Sequence, residues 1–204
     1  MRITVHAGKV HQVNDAVHVY AAFEGEERCE RLLPDEAQHD APLKRLAAGA
    51  GFRGAPNETV LLPNAGRWTL IVGLGTARAL TIERIRQFAG TAVKTSRARG
   101  FTRVSLPVLS MERLGSIPEV AQALAEGAWL GLYRYEKLKE ISKRERNKRI
   151  DDVILTVERA GDVEAAKRAA QKAEVIAEAV MLARDLITGP SNLDRKSTRL
   201  NSSH

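Results

Sequence analysis

An α/β protein, with a mixed sheet flanked by helices and one long helix at its end, is what the sequence predicts on three observations. Short runs rich in β-branched and aromatic residues alternate with stretches of helical period. Glycine, proline and Asn-Asp turn chemistry punctuates them. The last helical pattern, 162–188, runs for about 27 residues or roughly 40 Å, longer than a domain of this size needs.

Ile3-Thr4-Val5 and Ala16 to Phe23 are the first strands, and Asn14-Asp15 between them reads as the turn of a hairpin-like pair. Pro34 to Ala48 has apolar residues at Leu43, Leu46 and Ala47, a modest helix stopped by Gly49. Thr59 to Leu62 and Trp68 to Val72 are short strands joined through Pro63-Asn64-Ala65-Gly66. Thr81 can cap a helix to about Arg99, with Ile82, Ile85, Phe88, Ala89 and Val93 on one face. Gly100 ends it, and Thr102 to Val108 is again a strand.

Ser116-Ile117-Pro118-Glu119 has the S-x-x-E form of a capping box. Its helix carries Val120, Leu124, Gly127, Gly131, Tyr135 and Leu138 at spacings of three and four. Two glycines on that face would allow a close approach to a sheet. Val153 to Val157 reads as a buried strand, and Gly161-Asp162 opens the long helix, closed by Gly189 and Pro190. Residues 1–160 are expected to form one sheet, with Ile71, Val72, Val104, Leu106, Ile154 and Val157 buried.

The composition, 44% hydrophobic and 28% charged over 204 residues, excludes a wholly disordered chain. No apolar run reaches the roughly 20 residues of a membrane span, and no secretory leader opens the chain. No membrane partner is therefore expected, and a cytoplasmic protein is the simplest reading. Cys29, the only cysteine, excludes an internal disulfide and a multi-cysteine zinc site.

A net charge of +7 suggests nucleic acid, but two segments carry it all. Arg134 to Arg149 holds eight Lys/Arg against three Asp/Glu, and 194–204 holds three against one. Glutamates at 136, 140 and 145 dilute the first, so a solvated helix end is favoured over a phosphate-tracking surface.

Val72-Gly73-Leu74-Gly75 follows a strand, the setting of phosphate-binding glycine loops. The third glycine of a dinucleotide fingerprint is replaced by Arg78, which favours a tight turn out of the sheet. His6, His11, His18 and His39 form no H-x-x-x-H or H-E-x-x-H pattern. Cys29 lies among Glu26, Glu27 and Glu30, which would raise a thiol pKa rather than activate it. No catalytic, cofactor-binding or metal-binding residue is assigned.

Four stretches, taken together, carry a family resemblance. They are Glu58-Thr59-Val60-Leu61-Leu62-Pro63, Trp68 to Gly75, Ala121 to Tyr135, and Ala177 to Leu186 running into Thr188-Gly189-Pro190-Ser191-Asn192. Their order resembles the N-terminal domain of leucyl aminopeptidases, the M17 family of two-metal exopeptidases. Family members typically have P-P-N where this chain has Pro190-Ser191-Asn192.

The resemblance implies a macro-domain-like sandwich over 1–160, a connector helix over 161–189, and the start of a catalytic domain at 190–193. It implies a parent that releases N-terminal amino acids from peptides with two divalent ions, manganese or zinc, and assembles as a homo-oligomer, a hexamer. The family's G-K-G-x-x-F-D-[ST]-G-G and N-T-D-A-E-G-R motifs do not occur here. The expected function is therefore that of a non-catalytic N-terminal fragment, binding no cofactor itself. A stand-alone nucleotide- or nucleic-acid-binding module is the alternative.

Asp194 to His204 has no hydrophobic period, and its eleven residues resemble a translated sequencing-library adapter. Residues 194–204 are expected to pack against nothing.

Overall fold

The alternating segments assemble into one sheet in the computed structural model, which describes residues 1–25, 32–33, 37–64, 66–111, 114–133 and 148–188. In chain order the elements are β1 (Arg2–Ala7), β2 (Val17–Phe23), β3 (Leu32–Leu33), α1 (Ala37–Gly49), β4 (Thr59–Asn64), β5 (Arg67–Gly75), α2 (Ile82–Ala98), β6 (Arg103–Pro107), α3 (Ile117–Leu132), β7 (Asp152–Val157) and α4 (Val163–Thr188). The sheet order is β1-β7-β6-β2-β5-β4, with β3 attached to β2. Neighbours are parallel except for the antiparallel pairs β4–β5 and β2–β3.

The expected opening hairpin does not form. β1 and β2 are separated by β7 and β6, so the mixed character of the sheet comes from β4 and β3 instead. Asn14-Asp15 is a turn, with Asp15 at φ 54°, but it feeds β2 only after a 3-10 turn at Val10–Gln12 has carried the chain beneath the sheet. Buried Val10 anchors that passage. The second hairpin does form, and β4 runs two residues further than expected, through Pro63 and Asn64. A proline is compatible with that position because β4 is an edge strand.

Both sheet faces are covered. Val19, Val72, Val104, Leu106, Leu155 and Val157 point into a core shared with Ile85, Phe88 and Val93 of α2 and Val120 and Leu124 of α3. Tyr20, Ile71 and Leu62 meet Leu43, Ala47 and Phe52 beneath α1 on the other face. The six side chains expected to be buried are all buried. Each large aliphatic or aromatic group hidden there contributes about 1.5–3 kcal/mol.

The glycines of α3 have a different partner from the one expected. They admit another helix rather than the sheet. A Cβ on Gly131 would lie 2.6 Å from the Gly90 Cα, and one on Gly127 would collide with the Arg86 carbonyl of α2. The two backbones therefore touch. Beside the contact, Arg86 Nε donates to Glu126 Oε2 at 2.6 Å, and Gln122 Nε2 donates to Glu126 Oε1 at 2.7 Å. Glu126 is buried in the described structure, so this ion pair locks the crossing from within the interface.

The start of α3 agrees with its sequence signature. The Glu119 carboxylate accepts from the Ser116 N–H at 2.7 Å and from its hydroxyl at 2.8 Å. The backbone bond from Ser116, and then the hydroxyl, hold the Glu119 pKa below its ordinary value of 4.5. A lowered folded-state pKa stabilises the helix start above the unfolded value, and that contribution is lost as pH falls through the lowered one. A carboxylate titration followed by NMR should find Glu119 below 4.5, with the Ser116 amide shifting in step. A Glu119 midpoint at or above 4.5 would refute the cap's ionic character.

The long helix divides into two halves. Ala166, Ala169, Ala170 and Ala173 belong to the core that α2 and α3 share with the sheet, and Ala177 is buried one turn further on. Alanine is the strongest helix former and lets neighbours approach closely, which suits this half to tight packing. Beyond Glu178 the helix is tied to the rest by Tyr133. Its hydroxyl donates to Asp185 Oδ1 at 2.6 Å, and the Arg184 guanidinium lies 5.7 Å from its ring centre. Leu182 is 62% exposed and Ile187 84% exposed, while Val180 is half-buried.

Candidate functional site

The glycine-bearing end of β5 is the strongest sequence-level candidate for a ligand site, and its geometry shows why those glycines are there. Gly73 and Gly75 are not a turn leaving the sheet; both belong to β5. Residues 53–58 fold back across them. Asn57 N–H donates to Gly73 O at 3.0 Å, Gly73 N–H to Glu58 O at 2.8 Å, and Gly75 N–H to Gly54 O at 2.9 Å. A Cβ on Gly73 would lie 2.6 Å from the Gly54 carbonyl carbon and would overlap the Ala55 oxygen. The space a phosphate would need is filled by the protein's own backbone.

That crossing segment builds an anion nest and fills it. The N–H groups of Arg53, Gly54 and Ala55 converge on Glu58 Oε2 at 3.0, 2.9 and 3.0 Å. Three convergent amides are the chemistry of a phosphate cradle, and here a carboxylate five residues along takes that place. Glu58 opens the first family-like stretch, yet its role as an internal counter-anion carries no local sequence signal. Only the fold brings its side chain back under Arg53.

Among the described residues, the histidines do not converge. His6 is exposed on β1, and His18 lies on β2 with Nε2 2.9 Å from the Val13 carbonyl oxygen. Three strand spacings, roughly 14 Å, separate the two strands. The His11 carbonyl accepts from Arg67 Nη1 at 2.7 Å. His39, Cys29, residues 134–147 of the basic stretch and the tail 194–204 lie outside the residues whose side chains are described. Lys148, near the end of that stretch, donates to the Ala98 carbonyl at 2.8 Å, closing α2.

A groove of about 660 Å³ runs under the N-terminal ends of β2, β5 and β6. Trp68 leans on Phe101 there, ring centres 6.3 Å apart at 59°. Arg67 Nη2 donates to Asn14 Oδ1 at 2.9 Å, and Arg103 Nη1 to the Asn14 carbonyl at 3.2 Å. Arg103 also faces Asp152 at 3.4 Å. Both guanidinium groups serve to hold the 13–16 turn against the sheet. The groove brings together no nucleophile with a base.

Among the described residues, no group of three His, Cys, Asp or Glu side chains is placed to hold a metal ion. The described side chains do not fit a two-metal centre. Also among the described residues, no helix is long and apolar enough to cross a membrane.

The described residues form an α/β domain: a mixed sheet covered on both faces, whose glycine crossing is filled by its own backbone. The model of the cytosol aminopeptidase family N-terminal domain matches residues 19–142, and the chain belongs to that family. A probable cytosol aminopeptidase of Geobacter sp. (strain M21) is 35% identical over 158 residues, covering 74% of this chain and 30% of the relative. One from Roseiflexus castenholzii is 31% identical over 199 residues, covering 94% of this chain and 38% of the relative.

Among solved structures, the bottromycin maturation enzyme BotP in complex with Mn superposes with a TM-score of 0.63 at 27% identity, over 88% of this chain and 33% of that one. A tomato leucine aminopeptidase variant shares the fold, with a TM-score of 0.74 at 20% identity over 94% of this chain and 39% of that one. The chain thus corresponds to the N-terminal part of its relatives and spans about a third of their length.

Proposed function

We propose that this chain is the non-catalytic N-terminal domain of a two-metal leucyl-type aminopeptidase that releases N-terminal amino acids from peptides in the cytoplasm. The carrying observation is the family match over 19–142 in a chain that spans 30% to 38% of relatives named cytosol aminopeptidases. The catalytic apparatus, two divalent ions (manganese or zinc) with their carboxylate ligands, belongs to the remainder of such a protein. When bound there, the ions would activate water and stabilise charge on the scissile carbonyl.

In this reading 1–160 is the sheet domain, 161–189 carries the chain toward the catalytic domain, and the parent is a homo-oligomer such as a hexamer. The exposed Leu182 and Ile187 on the second half of α4 support the connector role, because an adjoining domain would cover them. The alternative of a nucleotide-binding module lacks support at Gly73–Gly75, where the backbone of Gly54 and Ala55 lies in the space a ligand would need.

The test is hydrolysis of leucyl p-nitroanilide with manganese or zinc added. The 204-residue chain should show no rate above a mock preparation, whereas the chain extended by the catalytic segment of its own gene should be active and chelator-sensitive. Chelator-sensitive release by the 204-residue chain alone would overturn the proposal.

A further inference from the structure

The three donors that meet at Glu58 are placed by backbone, not by the side chain they hold. Gly54 stands at φ 87°, in the left-handed region, and one such residue in a short run turns successive N–H groups toward a single point. A Cβ there would lie 2.6 Å from the Phe23 carbonyl oxygen, so the position is reserved for glycine. Glu58 N–H donates to Ala55 O at 3.0 Å, which closes the turn, and Thr91 Oγ1 of α2 donates to Asn57 Oδ1 at 3.1 Å. With the bonds to Gly73 and Gly75, these define the path of 53–58 without using the Glu58 carboxylate.

The nest also sits where α/β sheets take ligands. Phe23 and Gly75 end β2 and β5 and pair with each other, and Gly54 lies against both. Ligands of open α/β sheets bind outside the carboxyl ends of the strands. Arg53 is exposed and Glu58 only half-buried, so solvent reaches the rim.

We propose that residues 53–55 form a binding site for a phosphate group, and that the Glu58 carboxylate is its tethered competitor. The site is the nest itself, not the filled crossing at Gly73, and it is independent of the aminopeptidase reading. Glu58 Oε2 meets three N–H groups at 2.9–3.0 Å, the contacts that a phosphate oxygen would make. In the native chain a phosphate has to displace a carboxylate that its own backbone keeps at high effective concentration. Shortening that side chain to alanine removes the competitor and keeps the donors. A purely structural strap predicts only a loss of stability on this change. A phosphate site predicts that an added anion takes the vacated place.

Titration of the 204-residue chain with inorganic phosphate, followed by amide NMR against sodium chloride at matched ionic strength, tests the proposal. Glu58→Ala should bind phosphate about a hundredfold more tightly than the native chain, with the shifts concentrated at the amides of Arg53, Gly54 and Ala55. Phosphate should also restore the hydrogen-exchange protection that this variant loses there. A parallel titration with phenyl phosphate separates the two sources of the group. Tighter binding than inorganic phosphate places it on a larger molecule, and weaker binding leaves the free ion as the ligand. If Glu58→Ala does not fold, Glu58→Gln, which keeps the side chain's shape without its charge, should show a smaller gain of the same sign. Equal affinity in native and variant chains, or shifts spread over exposed lysines and arginines with none at 53–55, would overturn the proposal.

Discussion

Replacing Gly127 with alanine is expected to destabilise the protein by about 3 kcal/mol, the upper part of the range for forcing extra volume into a packed interior. The added methyl would collide with the Arg86 carbonyl, which is backbone inside a helix and cannot swing away as a side chain can. Relief requires α3 to move off α2 as a body. That motion would also stretch the 2.6 Å bond between Arg86 and Glu126 and the contact of Gly131 with Gly90. For a chain of this size the loss corresponds to a fall in thermal midpoint of roughly 6–12 °C. Alanine's better helix propensity returns no more than about 1 kcal/mol, so the collision should win. A melting curve settles it: an unchanged or higher midpoint would mean that α2 and α3 are not in backbone contact.

Glu58→Ala should cost a similar amount, about 3 kcal/mol, by a different route. It leaves the N–H groups of Arg53, Gly54 and Ala55 without their shared acceptor, and unmet buried donors cost about 1–3 kcal/mol each. Of the three, Gly54 is buried while Arg53 is exposed, so water can compensate part of the loss. Glu58→Gln keeps one acceptor oxygen and loses the charge, and it should fall about midway. Hydrogen exchange at these amides is the sharper readout. Protection should drop at residues 53–55 and spread to Gly73 and Gly75, whose bonds depend on the same segment. Unaltered exchange there would show that the crossing is held without the carboxylate.

Every strand but β3, the capped starts of α2 and α3, and the burial of Ile71, Val104 and Leu106 were legible in the sequence, because each depends on periodicity and punctuation within a few residues. The α3 capping box is equally local: Ser116 and Glu119 meet wherever that helix starts. Family membership was legible as well, carried by ordered stretches rather than by a site. The exposed end of α4 follows from a helix longer than the sheet it covers.

Tertiary structure alone decided the partners of these elements. The turn at Asn14-Asp15 could not reveal that β7, far along the chain at Asp152–Val157, takes the place beside β1. Strand pairing is set by which edge remains open once helices have covered the faces, a property of the whole sheet. Local spacing showed two glycines on one face of α3, but Gly90 on α2 made that face a helix crossing. Gly73 and Gly75 looked like a phosphate loop because a ligand and the protein's own backbone ask the same thing of glycine, namely room without a Cβ. The chain determined where backbone can come close; the fold determined that residues 53–58 fill the space.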